Sequence, residues 1–149
     1  MIELIVIFLI SMVPVLELRG SIPLALALTD INPIVVFSIC VALNVLMIPL
    51  VFKGLDWLAP PLKKRSKVIR SIFAWFRRRS YDWRLGLLGL ATFVAVPLPG
   101  TGAFTGTVIA YLLKMDRKHA TLAIAAGVIA AGIMVLFGTL GIIAIIKIL

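Results

Sequence analysis

The stretch VPVLELRGSIP, residues 13–23, places a carboxylate and a guanidinium inside an apolar run that extends from residue 4 to residue 28. A charged side chain at bilayer depth costs at least about 2.5–3.5 kcal/mol on insertion scales. Glu17 and Arg19 are therefore candidate functional residues if this stretch lies in a membrane. The rest of the chain decides whether it does.

The composition is that of an integral membrane protein. The 149 residues are 62% hydrophobic, whereas soluble domains are typically about 45–50% apolar. The net charge of +9 comes from basic residues that alternate with long apolar stretches, which indicates a membrane surface rather than nucleic acid. The single cysteine excludes an intrachain disulfide and a thiolate metal cluster. We expect no metal, no cofactor and no enzyme activity.

Two uncharged stretches, residues 33–52 and 120–146, are long enough to cross a bilayer as helices. Two other apolar stretches, residues 4–28 and 85–113, are interrupted by prolines and glycines, which remove backbone donors and favour turns. The pieces on either side of PLPGTG, residues 97–102, would be only about 16–18 Å long as helices, against a hydrocarbon core of about 30 Å. We therefore expect each interrupted stretch to form a re-entrant helix-turn-helix hairpin.

The basic residues favour this topology. Nine Lys and Arg residues lie between residues 63 and 84, so that connection should be cytoplasmic. If residues 85–113 are re-entrant, the loop after them returns to the same side, and 13 of the 15 basic residues face the cytoplasm. We expect a multi-pass protein of the cell (inner) membrane with both termini outside and with residues 57–84 and 114–119 cytoplasmic.

The two halves of the chain have the same order of predicted elements. A shift of 83 residues places Val13 and Pro14 on Val96 and Pro97. Each half is a hairpin followed by a span, in opposite orientations, which is the pattern of an inverted repeat with a binding site near the bilayer midplane. We predict one all-α membrane domain with a first inverted half at residues 1–56, a basic amphipathic linker helix at 57–84 and a second half at 85–149.

Residues 62–80 (LKKRSKVIRSIFAWFRRRS) predict an interfacial amphipathic helix. Four apolar side chains spaced i, i+3, i+4 and i+7 share one face, and the basic side chains fall mostly on the other. Such a helix is attracted to anionic lipid of the inner leaflet, so we expect membrane lipid as a partner and no nucleic acid. The predicted lipid-contacting residues are Lys63, Lys64, Lys67, Arg70, Arg77 and Arg78.

Glu17 is the only acidic residue inside an apolar segment. Burial and the neighbouring Arg19 act in opposite directions on its protonation, so Glu17 could be poised to exchange a proton. The alternative is a structural pair in which the two charges neutralise each other. On a regular helix the two side chains point about 200° apart, so they need a broken backbone or partners elsewhere. Gly20 and Pro23 complete this predicted proton or substrate site.

The turn at residues 97–102 is the second candidate site. Its prolines and glycines leave backbone groups unpaired, and a helix starting near Ala103 would point its positive N-terminus into the membrane. Such a helix end suits an anionic group such as a phosphate or a carboxylate. The alternative is a tight turn that serves only packing. The candidate residues are Pro97, Pro99, Gly100, Thr101, Gly102 and Thr105.

The motifs ELRGSIP, residues 17–23, and PLPGTGAFTG, residues 97–106, resemble the family of small multidrug export proteins, and the resemblance covers nearly the whole chain. That family is distantly similar to the DedA, or VTT, membrane proteins. This similarity implies paired re-entrant hairpins and translocation of polyprenyl phosphate or phospholipid. It also implies that Glu17, Arg19 and Gly20 are the charged positions and glycine of the first hairpin. DedA proteins carry an acid and an arginine in both hairpins, whereas the second hairpin here has no charge.

Three functions follow from these observations. We expect a small proton-coupled exporter in which Glu17 is the protonation switch and Arg19 is its counter-charge or a ligand for a substrate anion. The alternatives are a DedA-like flippase or scramblase and a non-transporting membrane adaptor that uses the basic amphipathic helix. Because two spans enclose little space, we expect a homo-oligomer, most simply a dimer.

Overall fold

The computed structural model describes residues 17–65, 83–98 and 100–148, and within these ranges the chain forms five α-helices and no strand. The predicted all-helical fold is therefore confirmed. In chain order the helices are α1 (Glu17–Leu28), α2 (Pro33–Arg65), α3 (Trp83–Ala95), α4 (Ala103–Leu112) and α5 (Arg117–Ile148).

The helices α2 and α5 contain the two predicted spans. Their apolar stretches Pro33–Leu58 and Arg117–Ile148 are long enough to cross a bilayer, and only 22% and 11% of their most apolar windows are buried inside the protein. The core helix of a soluble protein would be mostly buried, so the exposed apolar surface of both helices indicates contact with lipid. Residues 57–65, predicted to belong to the linker, continue α2 without a break.

Within the described residues α1, α3 and α4 extend over 12, 13 and 10 residues. At about 1.5 Å per residue α4, which has described residues on both sides, cannot cross a bilayer of about 30 Å alone. The helix α1 runs through Gly20 and Pro23, which were predicted to interrupt it. Pro23 removes only the hydrogen bond to the Arg19 carbonyl, and the bonds on either side maintain the helix.

Several predicted elements lie outside the described residues. They include the first arm of the first hairpin, up to residue 16, and the amphipathic linker beyond Arg65. Of the residues predicted to contact lipid, Lys63 and Lys64 belong to the last turn of α2. The others, Lys67, Arg70, Arg77 and Arg78, lie outside the described part of the chain.

The core forms where α1 and α4 pack against α2 and α5, while α3 packs chiefly on α5. Gly127 of α5 allows the closest approach, because an added Cβ would lie 2.7 Å from the Ala91 carbonyl oxygen and from Val94 Cβ. Gly132 of α5 in turn faces Phe37 of α2. These small residues therefore serve packing within the chain, as expected for glycines at helix contacts in membranes.

An ion pair joins α2 and α5 at one end of the bundle. Arg117 Nη2 lies 2.8 Å from Asp56 Oδ1, and the Arg117 guanidinium lies 5.6 Å from the centre of the Phe52 ring. Because Gly132 faces Phe37 further along, α2 and α5 are antiparallel. We call this end, where α3 and α5 begin and α4 ends, the basic end; it carries Lys53, Arg84, Lys114, Arg117 and Lys118.

Candidate functional site

The Glu17 side chain caps a helix in the other half of the chain. Glu17 is only 5% exposed, and its two carboxylate oxygens accept the backbone N–H groups of Ala103 at 3.0 Å and Phe104 at 3.1 Å. These are the first N–H groups of α4, which have no partner within the helix. The negative charge also complements the partial positive charge of the helix N-terminus. Glu17 therefore links α1 directly to the start of α4.

Gly102 makes room for this contact. It is buried immediately before α4, its backbone is extended, and no side chain of its own caps the helix. A Cβ added at Gly102 would overlap the Glu17 carboxylate. Glycine is required here for space rather than for an unusual backbone conformation.

The Arg19 side chain binds the end of α3 and the turn after it. Its Nη1 donates to the Leu98 carbonyl, and its Nη2 donates to the carbonyls of Val94 at 3.1 Å, Val96 at 2.9 Å and Thr101 at 3.3 Å. The last carbonyls of a helix have no intrahelical partner and carry partial negative charge. The guanidinium therefore stabilises the C-terminus of α3 as Glu17 stabilises the N-terminus of α4.

Glu17 and Arg19, both within the described residues, form no hydrogen bond or ion pair with each other. Each side chain hydrogen-bonds the end of a different helix. These are the partners elsewhere that the separation of the two side chains around a helix requires. The α4 N-terminus, predicted to suit an anionic group, is occupied by the protein's own carboxylate.

The Thr101 side chain closes the turn between α3 and α4. Its hydroxyl has two acceptors within reach for its one proton, the Val96 carbonyl at 2.7 Å and the Leu98 carbonyl at 2.9 Å. Gly100 has φ +86°, in the left-handed region that glycine adopts at little cost. The turn reaches the protein surface, since Pro97, Leu98 and Gly100 are exposed.

The remaining predicted site residues take no part in these hydrogen bonds. Gly20 and Pro23 lie half-buried on α1, and Thr105 lies half-buried on α4. Pro99 lies outside the described residues. The structure thus brings together Glu17, Arg19, Thr101 and Gly102 from the two predicted sites.

Three buried polar residues near this contact were given no role from the sequence. Ser21, Asn44 and Thr107 each donate a hydrogen bond to the backbone carbonyl four residues earlier, at 2.6–2.9 Å. The Ser21 hydroxyl also lies 3.4 Å from Cys40 Sγ. For Ser21 the sequence does contain a signal: it lies four residues after Glu17, so the two side chains share one face of a helix.

The comparisons with known proteins identify a family for this chain. A family model described as "Putative small multi-drug export protein" matches residues 17–134. None of the curated proteins and none of the solved structures matched the chain. The family match includes Glu17, Arg19 and the whole of α3 and α4, and it covers most of the sequence. The chain therefore belongs to the small multi-drug export protein family, and its two long apolar helices place it in a membrane.

Proposed function

We propose that the protein is a small proton-coupled membrane exporter, and not an enzyme, whose site lies where α1 meets the ends of α3 and α4. The observation that carries this proposal is the buried Glu17 carboxylate on the first N–H groups of α4. It is the acidic residue of an apolar segment, and it joins the two halves of the chain. A carboxyl group in that position can couple its own protonation to a movement of α1 relative to α4.

The coupling step follows from the hydrogen bonds of Glu17. An ionised carboxylate accepts bonds from both Ala103 and Phe104, and its charge interacts favourably with the helix N-terminus. Protonation removes the charge and turns one oxygen into a donor, which cannot accept from an N–H group in the same way. Protonated Glu17 therefore holds α1 less tightly to α4, and the two halves can shift.

Arg19 is the proposed substrate contact. Its guanidinium is half-buried beside the exposed turn, and within the described chain its Nε has no hydrogen-bond partner. When α1 shifts, donors that now bind the Val94 and Val96 carbonyls become available to a ligand. An anionic group suits these donors, while a cationic substrate would exchange against the single titrating carboxyl.

We also propose the predicted topology of two inverted halves with re-entrant hairpins. In support, Gly86 near the start of α3 and Leu113 after α4 line the same groove, so both ends of this hairpin lie together. A shift of 83 residues moves the bounds of α2 to 116–148, close to those of α5. The Arg117–Asp56 ion pair supports one common side for residues 57–84 and 114–119, which we assign to the cytoplasm with both termini outside.

A proton-flux assay tests the proposed export. Full-length protein is reconstituted in liposomes that contain a pH-sensitive dye, and cationic dyes, carboxylates and phosphates are added one at a time. We expect at least one compound to drive proton movement, and Glu17→Gln to abolish it while the protein still inserts. The matched control is Asp30→Asn, an exposed acid in the loop between α1 and α2, which should transport normally. Undiminished proton flux in Glu17→Gln would refute the coupling role.

The same panel includes a short-chain prenyl phosphate, because Arg19 suits an anionic headgroup as well as a free anion. Movement of this compound between leaflets without movement of any soluble compound would replace the small-molecule substrate by a lipid. A different outcome would support a membrane adaptor. In that case Glu17→Gln and Arg19→Lys both keep the function of the protein in cells, whereas neutralising the basic residues among 63–79 abolishes it.

A further inference from the structure

An apolar groove lies between the two arms of the second hairpin. Its volume is about 220 Å³, and it opens to the surface. Two of the lining residues are glycines of α3, and the others are apolar. The lining residues are Gly86, Gly89, Leu90, Phe93, Ile109 and Leu113.

The groove exists because the two arms touch near the turn and then diverge. Close to the turn, a Cβ added at Gly106 of α4 would lie 2.7 Å from Val94 Cγ2 of α3. Towards the basic end, a Cβ added at Gly89 would have nothing within 4 Å. Because α3 packs chiefly on α5 and α4 chiefly on α2, the arms separate and leave a space that no described side chain fills.

The groove opens towards the basic end of the bundle. Two exposed basic residues of that end are close in sequence to lining residues: Lys114 directly follows Leu113, and Arg84 lies in the first turn of α3, before Gly86. The interior is apolar, and the end of the bundle at which it opens is basic. This combination is complementary to an apolar chain that ends in an anionic headgroup.

We propose that this groove binds one acyl chain of an anionic phospholipid, whose headgroup lies beside Arg84 and Lys114, as a resident partner of the protein. Lipid tails are as apolar as the groove, so the hydrophobic effect contributes little to this binding. Occupancy comes from filling the space between the arms, and selectivity comes from headgroup charge at the basic end. The proposal depends on the membrane location of the chain and not on proton coupling at Glu17.

Filling the groove tests the acyl-chain contact. Native mass spectrometry of the full-length protein in mild detergent measures bound lipid after incubation with equal amounts of dioleoyl phosphatidylglycerol and dioleoyl phosphatidylcholine. We expect Gly89→Leu to lower the binding of both lipids. The matched control is Gly138→Leu on α5, where an added Cβ also has nothing within 4 Å; this variant should bind as the wild type does. If Gly89→Leu does not fold, Gly89→Val measures the same effect.

Neutralising the mouth tests the headgroup contact. Lys114 has φ +54°, so asparagine is the suitable neutral replacement because it tolerates this conformation. In Arg84→Gln/Lys114→Asn we expect lipid to remain bound, while the preference for phosphatidylglycerol falls about 30-fold, since each of the two basic residues contributes about 1 kcal/mol near an anionic surface, or about five-fold. Lys53→Gln/Lys118→Gln removes the same charge at the basic end and should keep the preference.

Three results would overturn the proposal. The first is no bound lipid in the wild type, and the second is wild-type lipid binding when residue 89 carries the larger side chain. The third is an unchanged preference for phosphatidylglycerol in the Arg84 and Lys114 double variant, which would place the anionic contact elsewhere on the protein.

Discussion

Two groups of polar and charged side chains in the described part of the chain find their partners in different ways. Inside the helical bundle, Glu17 and Arg19 bind backbone groups at the ends of helices in the other half of the chain. At the basic end, side chains bind one another: Arg117 forms an ion pair with Asp56, and the His119 ring lies 2.6 Å from the Asp116 carboxylate. The inner group binds backbone groups, whereas the outer group consists of exposed side chains that bind each other.

Solvent exposure explains why the two groups should contribute differently to the free energy of unfolding. The side chains of the two outer pairs are 43–63% exposed, so water solvates each partner whether or not the pair forms. Glu17 is buried, and removing its carboxylate leaves two N–H groups without a partner. A buried donor that loses its partner costs about 1–3 kcal/mol. Substitutions should therefore separate the two groups clearly.

The largest effect is expected for Glu17→Ala. Two backbone N–H groups lose their acceptor, so the free energy of unfolding should fall by at least about 2 kcal/mol. Titration with sodium dodecyl sulfate in mixed micelles measures this change. Asp30→Ala, which removes an exposed acid, should be nearly neutral. Equal effects of the two substitutions would contradict the distinction between the buried Glu17 carboxylate and an exposed acid.

Gly102→Ala should come next, because its Cβ overlaps the Glu17 carboxylate and pushes it away from α4. We expect a loss of unfolding free energy approaching that of Glu17→Ala. In a double-mutant cycle, Gly102→Ala should cost little once Glu17 is alanine, since the overlap has gone. Additive losses would show that Gly102 is needed for another reason.

Arg19→Lys tests the other inner charge. The ammonium retains the charge but cannot span the Val94, Val96 and Leu98 carbonyls as a planar guanidinium does. Because this part of the site is partly exposed, we expect a smaller loss of about 1 kcal/mol in the same titration. Wild-type stability of Arg19→Lys would mean that charge alone, and not the fork of donors, holds the turn.

The smallest effect is expected for Asp116→Asn at the start of α5. The side-chain hydrogen bond with His119 holds the pKa of the Asp116 carboxyl below its usual value. Its stabilising contribution is therefore present above about pH 3.9, the usual value in an unfolded chain, and is lost as the pH falls through the lower folded value. Thermal melts should show a small decrease in Tm at pH 7 that disappears at low pH. A decrease that persists at low pH would contradict this assignment.

Much of the fold could be predicted from local sequence. The uncharged length of residues 33–52 and 120–146 predicts the two long helices, and PLPGTG at 97–102 predicts the break between α3 and α4. The end of α2 could not be predicted, since the helix continues through two prolines to Arg65, into residues that were predicted to belong to the linker. The same holds for Pro23 inside α1. Local propensity is a weak guide where tertiary packing maintains a helix.

The sequence predicts which residues belong to the candidate site but not which contacts they make. The cost of an intramembrane charge identifies Glu17 and Arg19, and the expected start of a helix near Ala103 identifies a place for an anion. The chain's own carboxylate fills that place from 86 positions away. Such a contact depends on how the two halves pack, and the sequence carries no local signal for it.

Hydrogen–deuterium exchange at the Ala103 and Phe104 amides tests the central claim most directly. Neither amide has a partner within α4, so their protection depends on the Glu17 carboxylate. We predict slow exchange at both amides in the wild type and fast exchange in Glu17→Ala, while the Ala110 amide, further along the same helix, stays protected in both proteins. Fast exchange at residues 103 and 104 in the wild type, or protection that survives the loss of Glu17, would contradict the account.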